Sequence, residues 1–211
     1  NVATANENGI YLYSHADRNF VRNNQVNQNT VIGIYIKSGG NRLESNTVAN
    51  ANATGIGISA DTPDGLQGAE VSGSNNVIIG STIADNAGIG IKITGGGNNR
   101  IGPDPQTPVA GDSNLIESNT ADGIAMLVGA GSGIGTIDTL VFSNTIRANG
   151  ANGVSVTGTG SLRNRISRNV ITANNSSAIT ISAGAQGGLQ PPVITAVLAD
   201  NEIQGTAGAG S

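Results

Sequence analysis

Apolar residues recur along this chain in short alternating runs, each opened by a small residue. The runs read GIYL from Gly9, GIYI from Gly33, GIGI from Gly55, GIGI from Gly88, GIAM from Gly123, GVSV from Gly153 and AITI from Ala178. The residues after the opening position are Ile10, Ile34, Ile56, Ile89, Ile124, Val154 and Ile179, spaced by 22 to 35 residues. The shortest spacings define the unit, and the longer ones read as that unit with a loop inserted. Alternation with a period of two predicts short strands. No stretch has a helical apolar period of useful length.

Each unit carries further signals. An apolar residue is followed three or four positions later by Asn: Val26 to Asn29, Val48 to Asn52, Ile83 to Asn86, Ile116 to Asn119, Ile146 to Asn149 and Ile171 to Asn174. A third apolar element follows in several units, at Arg42-Leu43, Val77-Ile78-Ile79, Leu140-Val141 and Arg165-Ile166. Strands this short cannot bury a face alone. Coiled and stacked at roughly 4.8 Å per turn, they form parallel sheets around a continuous core. Asn suits the corners, because it tolerates left-handed backbone and bonds to its copies in neighbouring coils.

The segments NNQVNQNTVIGIYI, NRLESNTVANANATGIGI, SNLIESNTADGIAM, SNTIRANGANGVSV and NRISRNVITANNSSAITI resemble right-handed parallel β-helix repeats of the pectin-lyase-like superfamily. More narrowly, they resemble Asn-rich repeats of bacterial and archaeal extracellular carbohydrate-binding or sugar-hydrolase-type modules. The resemblance covers residues 1–188 and implies an all-β, single-stranded right-handed parallel β-helix of about seven to eight coils. It implies little about function, since the repeated residues serve the fold. Residues 189–211 change character at Pro191-Pro192. They read as two strands, Val193–Val197 and Glu202–Gln204, opening a β-sandwich module or covering the edge of the last coil. The chain opens at Asn1 inside a repeat, which reads as a processed protein or a fragment.

Charged residues are only 11%, the net charge is −4, and there is no Cys. The polar surface is therefore built from Asn, Ser, Thr and Gly. Nucleic-acid binding, disulfides and thiolate chemistry are not expected, nor is a membrane span.

Hydrolysis on such a fold uses two carboxylates, and related uronan epimerases use an Asp-Pro-His motif. The sequence has no Asp-Pro-His; Asp104-Pro105 is followed by Gln106, and the lone His15 sits by Asp17 and Arg18. No catalytic residue is assigned. The long insertions, Ser59–Glu70, Thr94–Asp112 and Gly129–Asp138, are expected side by side on one edge. There Asp61, Asp64, Asp104 and Asp112 would offer oxygen ligands for Ca²⁺. Strand alternation turns Tyr11, Tyr13, Tyr35 and Lys37 outward, with Gly57, Gly90, Ala125, Ser155 and Thr180 continuing the row. Tyr rings beside a shallow groove suit stacking on sugars. Sequons begin at Asn52, Asn174 and Asn175, the first two at expected buried ladder positions.

The resulting expectation is an extracellular structural or adhesive module of a bacterial or archaeal surface or secreted protein, contacting polysaccharide or a neighbouring surface protein. A carbohydrate-active enzyme and a subunit that stacks end to end into a fibre are the alternatives.

Overall fold

The computed structural model describes residues 1–60, 73–130, 133–182, 184–188, 193–197 and 203–206. The chain winds as a parallel β-helix. Each coil contributes one strand in turn to a first, a second and a third sheet. The first sheet has seven strands, from Val2–Thr4 to Val170–Thr172; the second has seven, from Asn8–Leu12 to Ile179–Ser182; the third has six, from Phe20–Arg22 to Arg165–Ser167.

The register stacks like on like. The first sheet sends one column inward: Ala3, Val26, Val48, Ile83, Ile116, Ile146 and Ile171. The second sends two, one of them running Ile34, Ile56, Ile91, Ile124 and Val154. The third sends Val21, Leu43, Ile78, Ile101, Val141 and Ile166. These branched side chains fit a pleated surface, and those of the middle coils are fully buried. Parallel pairing of chemically identical rungs lets one packing solution repeat in every coil.

The glycine that opens every second-sheet strand but the last, which begins after Ala178, is required sterically. A Cβ on Gly33 would lie 2.3 Å from Cγ1 of Val48, and one on Gly123 would lie 2.7 Å from the Gly153 carbonyl oxygen. The strand there passes directly over the first-sheet core residue of the next coil, Val48 for Gly33 and Ile146 for Gly123.

All three corners carry hydrogen-bonded ladders. One runs through Asn24, Asn46, Ser81, Asn114, Asn144 and Asn169. A second runs through Asn86, Asn119, Asn149 and Asn174. A third joins Asn19, Asn41, Asn76 and Asn99. The expectation that ladder Asn adopts left-handed backbone is corrected. The residue just before it does so: Gln28 (φ 54°) before Asn29, Ser118 (φ 55°) before Asn119 and Ala148 (φ 53°) before Asn149. That conformation costs ordinary residues roughly 1–2 kcal/mol each, and the buried ladder bonds that follow hold it in place.

The register also corrects three alignments. Ile91, not Ile89, pairs with Ile56 and Ile124, because GIGIKI offers three alternating apolar positions and the coil uses the last two. Ala51, not Asn52, occupies the ladder rung: its backbone N–H donates to Asn86 Oδ1 at 3.0 Å, and Asn52 is exposed. Lastly, the insertions do not share an edge. Gly129–Thr136 lies between the second and third sheets, whereas residues 103–113 follow the third-sheet strand Arg100–Ile101 and lead into the first sheet at Leu115–Glu117.

Near the C-terminus, Ala185–Gly188 forms a short 3-10 turn whose Ala185 joins the core. Gln186 extends the third ladder, its Oε1 accepting from the Asn164 backbone N–H at 3.0 Å. Val193–Val197 and Ile203–Thr206 pair as an antiparallel hairpin.

Candidate functional site

The outer face of the second sheet gathers the three tyrosines. Tyr11 and Tyr35 are direct register partners. Their rings stack with centroids 5.1 Å apart and planes 11° from parallel. Tyr13 meets Tyr11 edge-on, at 5.4 Å and 84°. The Lys37 ammonium lies 5.3 Å from the Tyr35 centroid, where the negative face of the ring attracts it. The four expected residues thus come together. Tyr11 and Tyr13 are 42% and 43% exposed, which presents ring surface to solvent, whereas Lys37 is 9% exposed and acts mainly as a brace.

Gly57 follows Tyr35 in the same outward row. A Cβ there would lie 3.3 Å from Cδ2 of Tyr35 and 3.5 Å from Cδ1 of Ile32. Gly57 is therefore the seat on which the Tyr35 ring rests. The next rung is Lys92, not Gly90, followed by Ala125, Ser155 and Thr180. The shallow groove expected beyond Tyr35 is thus interrupted by a cation. Reasoning from sequence missed Lys92 because a shift of two residues preserves the alternation; only the pairing partner of Ile56 reveals it.

The far end of this face is polar. Asp122 Oδ1 accepts from the Asn152 backbone N–H and Nδ2, both at 2.9 Å, and Oδ2 accepts from Ser155 Oγ at 2.7 Å. Asn152 Oδ1 accepts in turn from Thr180 Oγ1 at 2.9 Å. The face therefore runs from aromatic through cationic to hydroxyl-rich.

Of the four expected Ca²⁺ ligands, only Asp104 and Asp112 fall among the described residues. Asp61 and Asp64 lie outside the described residues. Asp104 accepts from the Gln106 backbone N–H at 2.9 Å, closing its own turn. Asp138 takes a two-pronged bond from Arg163, at 2.8 and 2.7 Å, which holds its carboxyl below the usual carboxylate range. Among the described residues no three His, Cys, Asp or Glu side chains are grouped as a metal site. Also among them, no helix is long and apolar enough to cross a membrane.

Comparison with known proteins agrees on the fold. The family model described as periplasmic copper-binding protein (NosD) matches residues 1–102. The crystal structure of the periplasmic alginate epimerase AlgG superimposes with a TM-score of 0.59 at 15% identity. Two of its mutants give 0.55 and 0.59 at the same identity. In each case 83% of this chain covers 36% of the other, so the chain spans about a third of those proteins. No curated protein matches the chain.

The copper in the family description finds no ligand set among the described residues. Copper favours His, Cys and Met. The chain has no Cys, its one His, His15, is exposed in a turn, and its one Met, Met126, is buried in the core. At the level of architecture, this chain is a parallel β-helix repeat protein whose first 102 residues match the NosD family model.

Proposed function

We propose that this β-helix is a structural or adhesive module working outside the cytoplasm, and that it contacts polysaccharide through the outer face of its second sheet. The observation that carries the reading is the stack of exposed Tyr11 on half-buried Tyr35, braced by Lys37. Flat, pre-ordered rings offer apolar area at low entropic cost, which suits the apolar faces of sugar rings. The NosD family description and the AlgG structures are both of periplasmic proteins, which supports the location. The AlgG activity on alginate supports a carbohydrate ligand by analogy of fold alone.

A glycan array comparing wild type with the Tyr11→Ala/Tyr35→Ala double variant tests this. The variant is expected to lose bound glycans while keeping its β-rich circular dichroism. Equal retention by both proteins refutes the aromatic face.

A further inference from the structure

The third sheet and its two borders hold most of the basic residues of an acidic protein. Its outward row reads Phe20, Arg42, Val77, Arg100, Leu140 and Arg165 in consecutive coils. Arginine thus returns on every second rung. Neighbouring strands lie about 4.8 Å apart, so these guanidinium-bearing positions recur at roughly 9.6 Å along the helix axis. Arg22 stands beside the row on the first strand, and Arg18, Arg163 and Arg168 occupy the corners at either side of the sheet. Seven of the ten basic residues of a chain with net charge −4 are therefore on this sheet or its borders.

The stripe is only partly neutralised. Glu44 pairs with both Arg42 and Arg22, at 2.9 and 4.0 Å, and Asp138 pairs with Arg163. Arg100, Arg165 and Arg168 have no ion-pair partner among the described residues. Arg165 and Arg168 are exposed. Arg100 is steadied by donating from Nη1 to the Gly102 carbonyl oxygen at 3.0 Å, and Arg168 lies 5.7 Å from the Phe142 ring centroid. At the other end, Arg22 and Arg42 flank the exposed ring of Phe20, at 5.4 and 6.0 Å. Arg22, Arg42, Arg100 and Arg168 are thus held by contacts before any ligand arrives.

We infer that the outer face of the third sheet is a docking track for a linear carboxylated polysaccharide lying along the helix axis. A guanidinium fork matches a carboxylate two bonds at a time. A polymer with one carboxylate per repeating unit meets a row of forks at regular intervals. The apolar residues between the arginines give the sugar rings a surface to rest on. The choice of an acidic glycan over a nucleic acid rests on the proposed location outside the cytoplasm. The track is separate from the Tyr11–Tyr35 face and is tested separately.

The test measures binding to sodium polygalacturonate, dextran and duplex DNA by affinity electrophoresis at low and high salt. Wild type is expected to bind polygalacturonate, more weakly as NaCl rises, and not to bind dextran by this face. The Arg100→Gln/Arg165→Gln/Arg168→Gln variant is expected to bind polygalacturonate about tenfold more weakly or worse. Glu44→Gln, which frees Arg22 and Arg42, is expected to strengthen binding roughly threefold, the scale of one exposed ion pair. No polygalacturonate binding, an unchanged triple variant, or tighter binding to DNA each overturns the inference. Polygalacturonate binding that survives Tyr11→Ala/Tyr35→Ala but not the arginine changes separates this track from the aromatic face. Either can then fail without the other.

Discussion

Replacing Asn119 by alanine removes one interior rung of a corner ladder. The side chain is 1% exposed. Its Oδ1 accepts from the Asn86 backbone N–H at 3.2 Å and from Asn86 Nδ2 at 2.8 Å. Its Nδ2 donates to the Ile83 carbonyl oxygen at 3.2 Å and to Asn149 Oδ1 at 2.9 Å. The Asn119 backbone N–H still reaches Asn149 Oδ1 after the change, so that acceptor keeps a partner. Asn86 loses the acceptor of two buried donors. A buried unpaired donor costs roughly 1–3 kcal/mol, so the variant should be about 3 kcal/mol less stable than wild type. The converse change tests the same logic. Ala51 leaves a gap between Asn29 and Asn86, and Ala51→Asn should restore the missing bonds and stabilise by about 1 kcal/mol. Urea unfolding followed by circular dichroism gives both midpoints, and amide exchange at Asn86 reports the local opening. A loss below about 1 kcal/mol with unchanged Asn86 exchange would refute the reasoning.

Other positions bear on the fold in the same way. Ile91→Ala should cost roughly 2–5 kcal/mol as a core truncation. Ile89→Ala, at a half-buried position outside the core column, should cost less than half as much, and equal losses in urea midpoints would contradict the register. Gly123→Ala places a methyl group against the Gly153 carbonyl and Ile146. It should lower stability by roughly 1–3 kcal/mol as local overpacking, seen as a reduced thermal midpoint. Asp138→Asn removes an exposed ion pair. Because the Asp138 carboxyl is depressed below its ordinary value of 3.8, its contribution is present above that pH and lost as pH falls through the folded value. A small midpoint difference between variant and wild type near neutral pH should therefore vanish in acid or in high salt, and a difference that persisted in acid would contradict the assignment.

The aromatic face could be read before any coordinates because it needs only local alternation: Tyr11 and Tyr35 share a motif position, so any stacking of like units brings them together. The arginine track was legible only in part: Arg42 and Arg165 open matching apolar elements, and Arg100 does not. Arg42, Arg100 and Arg165 are separated by loops of different length, and nothing near Arg100 in the chain announces a strand of only two residues. The expectation that the three insertions share one edge failed for a related reason. Spacing along the chain does not say at which corner an insertion leaves the helix, and residues 103–113 leave at a different corner from 129–136.

Period-two alternation and a recurring small-residue opening were enough to specify short strands, coils and a stacked aliphatic core, because those depend on neighbours in the chain. Register between coils depends on partners some 22 to 40 residues away. A slip of two residues keeps every side chain on its proper face, so alternation cannot tell Ile89 from Ile91, nor Gly90 from Lys92. Tertiary pairing breaks the tie, since only one slip lets the opening glycine pass over the core residue beneath it and puts Asn86 and Asn119 on adjoining rungs. That same choice places Lys92 on the aromatic face.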